Sequence, residues 1–169
     1  INAPTRIYIA TGTMGSAGGL ALGLALAGLR CEVHAVRVSP EAIMNRKRLD
    51  QLMAKTAVML NRLDTSIPAD LHRRTGIEVR HEFYGDGYAR STPATDAAID
   101  VARDALGLDL ESTYTGKAMA ALLDDAGRAE HRDASFMFWN TYNSNPLPAS
   151  QSTAIDAERL PAEFLRYFD

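Results

Sequence analysis

Ile7-Tyr8-Ile9-Ala10-Thr11, running straight into Gly12-Thr13-Met14-Gly15-Ser16-Ala17-Gly18-Gly19, is the stretch that decides the fold class. The first part is β-branched and aromatic, the composition of a buried strand. The second part is a Gly-rich turn from Thr11 to Gly19. Leu20 to Leu29 then reads as a helix of small and leucine residues, stopped by Gly28. A strand, a glycine turn and a helix in immediate succession form the opening of a βαβ unit.

The pattern continues outward from there. Cys31 to Val38 is Val-rich and alternating, a second strand. Ser39-Pro40-Glu41 has an N-cap residue followed by proline, which predicts a helix start, with the helix running to about Leu63. Its Ile43, Leu49, Leu52, Met53, Met59 and Leu60 recur at roughly helical spacing and are expected in the core, the methionines as packing. Ile77 to Phe83 predicts a third strand and Gly85 to Pro93 a loop. Thr95 to Leu106 predicts a helix closed by Gly107. Leu108 to Thr115 is extended or loop, Gly116 to Ala126 a helix, and Ser135 to Trp139 a last strand. Asn140 to Ser152 is expected as loop and Glu158 to Phe168 as an amphipathic helix. Strands alternating with helices give an α/β fold with a mainly parallel sheet and helices on both faces. Ligands of such sheets bind at the carboxyl ends of strands, so the loops at 11–19, 85–93, 108–116 and 140–144 are the ones expected to matter.

The chain of 169 residues suits one domain with a real core. A net charge of −3 gives no reason to expect nucleic acid or an anionic membrane as partner. The apolar run from Gly15 to Leu29 is too short for a membrane span and lacks the basic flank of a leader peptide. The single cysteine, Cys31, excludes an internal disulfide and reads as a buried thiol; a cytoplasmic location is expected. No metal-ligand set is assigned. The first residue is Ile, and a core strand follows almost at once, which reads as a chain that begins partway through something.

The turn after the first strand has the physical make-up of a phosphate cradle. Amides at a helix amino end point outward, the helix dipole adds partial positive charge, and glycines allow close approach. Thr13 and Ser16 add hydroxyls. The G-x-x-G-x-x-G spacing differs from the dinucleotide fingerprint, and no P-loop lysine is present. The competing reading is a tight turn that serves only helix packing. A dinucleotide fold would place an acid after the second strand, where Arg37, Val38 and Ser39 stand. An arginine there leaves an NADP-binding domain as an alternative.

The segment Ala10-Thr11-Gly12-Thr13-Met14-Gly15-Ser16-Ala17-Gly18-Gly19-Leu20 resembles the phosphate loop of the D-cysteine desulfhydrase and 1-aminocyclopropane-1-carboxylate (ACC) deaminase family, fold-type II pyridoxal-phosphate enzymes. Gly87-Tyr88-Ala89-Arg90-Ser91-Thr92-Pro93 resembles that family's Y-G-x-P loop, and 98–103 the helix after it. Leu108 to Met119 resembles its L-D-P-x-Y-T-G-K-A-M segment, and 136–141 its last strand and H-T-G-G turn. The resemblance implies a tryptophan synthase beta-like large-domain fragment. The chain would be the C-terminal part of the pyridoxal-phosphate-binding domain, with the N-terminal half and small domain absent. It implies pyridoxal 5'-phosphate as cofactor, its phosphate on Thr13, Met14, Gly15 and Ser16 and its pyridine nitrogen beside Thr115. Tyr88 and Tyr114 would be the active-site tyrosines. A hydroxyl at Thr115, rather than a carboxylate, would leave the ring nitrogen largely neutral, which suits β-elimination from a small amino acid such as D-cysteine. The partners implied are the missing N-terminal half, a small amino-acid substrate and further copies of the chain.

The family's Schiff-base lysine has no counterpart among Lys47, Lys55 and Lys117, so the chain alone is expected to be inactive. The family's D-P is matched to Asp109-Leu110, with an extra residue before Tyr114. Its Y-G glycine is Ala89, and its H-T-G-G turn is Asn140-Thr141-Tyr142-Asn143. A non-catalytic phosphate-binding module, or one half of a split protein, is the alternative from a different class.

Overall fold

The structure is a computed structural model that describes residues 3–142 together with Pro161 and Glu163. The predicted loop beyond Tyr142 and the predicted helix over 158–168 otherwise lie outside the described residues. Strand β1 (Arg6–Thr11) leads into helix α1 (Gly15–Leu26), then β2 (Glu32–Arg37) and α2 (Arg46–Leu63). A 3-10 turn at Leu71–Arg74 precedes β3 (Ile77–Arg80). Helices α3 (Pro93–Leu106) and α4 (Thr115–Ala126) follow, and β4 (Phe136–Phe138) is the last strand among the described residues. All pairings are parallel, in the order β3-β2-β1-β4.

Alternation along the strands sorts the two faces. Ile9, Val33, Ala35 and Ile77 face α1 and α2, burying Ala17, Ala21, Leu22, Leu49, Met53 and Ala57. Tyr8 and Val36 face the other way, onto Ala118 and Ala121 of α4. Helix α3 packs outside α4 through Ala98, Ala102, Met119 and Ala120. The predicted α/β architecture with helices on both faces is what the chain forms.

Several boundaries differ from the sequence reading, each for a local reason. The Gly-rich turn is shorter than expected, because α1 starts at Gly15, directly after Met14 adopts a left-handed conformation at φ 69°. Ser39 does not cap α2: its hydroxyl donates to the Gly12 carbonyl at 2.8 Å, and Pro40 begins a turn whose carbonyl accepts from Ile43 and Met44. Asn45 takes the cap, accepting from the Arg48 amide at 3.0 Å. Ile43 and Met59, predicted in the core, are exposed, whereas Leu49 and Met53 are buried as expected. The third strand ends at Arg80, short of Phe83.

Between the α4 face and β1–β3 lies a buried polar cluster. Asp125 accepts from Tyr8 Oη at 2.5 Å and from Arg80 at 2.6 Å, while His34 stacks on the Tyr8 ring with centroids 4.7 Å apart. His34 also sits 3.1 Å from Glu32. Burial lowers the His34 pKa from its ordinary value. This cluster belongs to the carboxyl-terminal end of α4, whereas the β1–α1 loop meets the amino-terminal end.

Candidate functional site

The site is assembled from the carboxyl end of β1 and the amino ends of two helices. Thr11 closes β1, and Gly12-Thr13-Met14 crosses to Gly15, where α1 begins. The amides of Thr13 to Ala17 donate to no protein group among the described residues. Residues 10–17 line a small hollow of about 60 Å³. Met14 is held at positive φ, an uncommon conformation for a residue with a side chain, of the kind that clusters at ligand sites. Thr13, Gly15 and Ser16 are exposed, so their donors face outward from the protein. The cradle expected from the sequence is thus open, with its amides unclaimed by the fold.

The second element is α4. Its N-terminal residue Thr115 is 1 % exposed, and Tyr114 precedes it. The Tyr114 ring lies against the β1–α1 loop: a Cβ placed on Gly12 would stand 3.5 Å from Tyr114 Cε1. Tyr88 arrives from the loop after β3, and its Oη is 2.7 Å from the Tyr114 Oη, with the rings edge to face. The hydrogen bond to Tyr88, and then burial, raise the Tyr114 pKa, so its phenol keeps its proton at neutral pH. Tyr88, Tyr114, Thr115 and the Thr13–Ser16 loop, predicted from far-apart segments, therefore gather at one edge of the sheet. Tyr114 and Thr115, with Glu111, Thr141 and Tyr142, line an open hollow of about 370 Å³.

Three further residues hold this edge together, and the sequence reading missed their parts. Glu111 turns its carboxylate over the start of α4 and accepts from the amides of Thr113, Tyr114 and Thr115 at 2.7, 2.8 and 2.7 Å. The acid that engages the Tyr114-Thr115 turn is therefore Glu111, not Asp109, which is exposed. The available signal was an acid just ahead of a helix start. Lys117 is fully buried and donates from Nζ to the Tyr84 carbonyl at 2.5 Å; burial and the nearby Arg37 charge lower its pKa. Arg37 is committed as well, donating to His81 Nδ1 at 2.9 Å and to the Ser39 carbonyl at 2.8 Å, with Tyr84 stacked 4.1 Å from its guanidinium. That engagement counts against Arg37 as the receptor of a dinucleotide 2'-phosphate. The two remaining lysines, Lys47 and Lys55, are exposed on α2.

No family model matches the chain. It is 32% identical over 129 residues to a D-cysteine desulfhydrase of Yersinia enterocolitica, covering 76% of this chain and 37% of that protein. It is 31% identical over 139 residues to nocardicin C-9' epimerase of Nocardia uniformis, covering 82% of this chain and 39% of that protein. A D-cysteine desulfhydrase of Klebsiella pneumoniae is 28% identical over 129 residues. The chain thus spans well under half the length of these relatives. The crystal structure of an ACC deaminase homologue superposes with a TM-score of 0.59 at 22% identity, covering 80% of this chain and 38% of that one, a likeness of fold.

Proposed function

We propose that this chain, a relative of the D-cysteine desulfhydrase family over 76% of its own length, forms the phosphate-holding side of a pyridoxal 5'-phosphate site. The observation that carries the reading is the open loop at Thr13–Ala17, whose free amides converge beside the paired phenols of Tyr88 and Tyr114. Thr13 and Ser16 offer hydroxyls to the phosphate, and Met14 and Gly15 offer main-chain amides. Thr115 would hold the pyridine nitrogen. Bound there, the cofactor supplies an electron sink for breaking bonds at the Cα of an amino acid.

The chain's own residues position and protect that chemistry. Tyr114 is protonated at neutral pH and shares a hydrogen bond with Tyr88, so the pair can orient a substrate or pass a proton. The reaction is β-elimination from a small amino acid such as D-cysteine, in a protein whose remaining length brings the Schiff-base lysine. Lys47 and Lys55 are exposed on α2 and Lys117 is bonded to Tyr84, so none of the three serves in that role. On this reading the chain is the C-terminal part of the cofactor-binding domain and is inactive alone. Its partners are the missing half, further copies and the amino-acid substrate, in the cytoplasm.

The test has two stages. In the first, the chain is titrated with pyridoxal 5'-phosphate and with unphosphorylated pyridoxal while Trp139 fluorescence and the 31P signal are followed. Binding should require the phosphate and should be lost in Gly15→Asp, which puts a carboxylate where the anion sits. Equal binding of both compounds would remove the phosphate-loop assignment. In the second, the chain joined to its lysine-bearing half should release pyruvate and ammonia from β-chloro-D-alanine. A second reading, inversion at Cα, is favoured by the 31% identical epimerase; chiral analysis of recovered substrate separates the two.

A further inference from the structure

Lys117 is a buried cation that the proposed chemistry leaves unused. It is 0 % exposed and stands about one turn after Tyr114 on α4. An ammonium carries three donors. Among the described residues its one acceptor is the Tyr84 carbonyl at 2.5 Å, and the Tyr84 ring lies 5.2 Å from Nζ. Burial and the nearby Arg37 guanidinium both act against the charge. A buried cation held by a single carbonyl costs stability, and a methionine of similar length would fill the space without that cost. What the lysine adds is a donor for one main-chain oxygen.

That oxygen sits at the neck of the loop that carries Tyr88. The Arg37 guanidinium lies 4.1 Å from the Tyr84 ring and donates to His81, so β2 and α4 both hold the residues at the neck. Gly85 follows at φ 71°, where a Cβ would stand 2.6 Å from Thr92 Cγ2, so the outgoing and returning arms of the loop touch there. The tip is a turn in which the Arg90 amide donates to the Gly87 carbonyl at 3.3 Å, with Tyr88 second and Ala89 third. Two of the three residues between Tyr84 and Tyr88 are glycines, which impose no conformation of their own. The place of the Tyr88 ring is therefore set by the neck and by its own bond to Tyr114.

We infer that Lys117 is a positioning residue: by holding the Tyr84 carbonyl it fixes the neck of the loop and so sets Tyr88 against Tyr114. The inference rests on the proposed site, where that pair of phenols meets the substrate, and deepens it by giving α4 two holds on one loop. Tyr114 meets the tip and Lys117 the neck. Tyr88 is 52 % exposed, so little packing secures the tip, and the bond at the neck carries the alignment.

The experiment uses the full 169-residue chain labelled with 3-fluorotyrosine, its Tyr114 19F signal identified by Tyr114→Phe. No cofactor is added, so the result stands apart from the phosphate titration that tests the site itself. The hydrogen bond to Tyr88 is the largest influence holding the Tyr114 pKa up; burial and Glu111 add to it, and Glu111 is unchanged in every variant. Tyr88→Phe calibrates the fall that follows loss of the phenol contact, about 0.5 pH unit or more. Lys117→Met should reproduce that fall and add little to it in the double variant. The sign is informative, because removing a nearby cation by itself raises a phenol's pKa. Gly85→Ala displaces the same neck while keeping the lysine and should lower the Tyr114 titration too, which serves if Lys117→Met does not fold. Circular dichroism and urea unfolding establish which variants fold. A folded Lys117→Met chain whose Tyr114 titration is unchanged or raised overturns the inference. So does an unchanged titration in Gly85→Ala where that variant stands in. A Tyr114 signal unmoved by Tyr88→Phe removes the phenol contact itself, and the inference with it.

Discussion

Asp125 gathers Tyr8 and Arg80 on one carboxylate whose side chain is 4 % exposed, with Arg6 and Arg128 at 3.9 and 3.8 Å. Burial works against its charge, but hydrogen bonds from Arg80 and Tyr8 outweigh that and hold its pKa below the ordinary value. A depressed carboxylate stabilises the fold above its unfolded pKa of about 3.9. That contribution is lost as pH falls through the lower folded value. Asp125→Asn should therefore cost about 1–3 kcal/mol at pH 7, because Arg80 loses its buried counter-charge and keeps only the half-exposed Glu82. It should also flatten the acid limb of stability, and urea melts from pH 2 to 7 measure both. Two backbone positions give opposite expectations. Gly116 sits where α4 meets its neighbours: a Cβ there would lie 2.8 Å from Ile99 carbons and 3.0 Å from the Glu111 carbonyl. Gly116→Ala should destabilise by about 1–3 kcal/mol and disturb the Thr115 turn. Ala89 stands at φ 59°, where the resembling family has glycine. Ala89→Gly should gain about 0.5–1 kcal/mol, the relief of left-handed strain less glycine's entropy.

The elements differ in how openly the sequence announces them. Helix α3 is framed by Thr92, which accepts from the Thr95 amide, by Pro93 in its first turn and by Gly107 in the left-handed cap position at φ 62°. All three signals are local, so its limits are legible to within two residues. Thr92→Ala should cost about 1–2 kcal/mol, measurable by thermal or urea unfolding, since it strips the cap and also removes the partner of the buried Thr95 hydroxyl. Helix α2 carries a misleading signal instead. Ser39-Pro40 has the form of a helix start, but the Ser39 hydroxyl is taken by Gly12 from the neighbouring β1–α1 loop, and the helix waits for Asn45. A capping oxygen must accept from an amide of the first helical turn, and whether the backbone brings that amide to Ser39 or to Asn45 is a tertiary matter. Helix α1 begins early for a similar reason: Met14 absorbs the sharp turn in a left-handed conformation that its side chain gives no hint of.

At the scale of the whole molecule, both sheet edges are short. β3 has four residues and β4 three, and Met137 and Trp139 are exposed beside β4. Leu26, Leu29, Val58, Met59 and Leu63 are exposed among α1 and α2 and the turn after α1. Apolar surface of this kind invites association. Light scattering of the isolated chain should give a mass above that of one copy, rising with concentration, and a monomer at all concentrations would refute this. The sequence by itself determined the class of fold, because the switch from strand to glycine turn to helix is a local pattern with one favourable packing. It also singled out the loop at Thr13–Ser16 and the two tyrosines as candidates, through the order and separation of several segments taken together. Only the tertiary structure decided that the Tyr88 and Tyr114 phenols meet, that Tyr114 lies on Gly12, and that the Glu111 carboxylate takes the amides at the start of α4. Those relations depend on how α3, α4 and the loop after β3 stack across the sheet edge, and no spacing along the chain encodes a distance set by packing between elements.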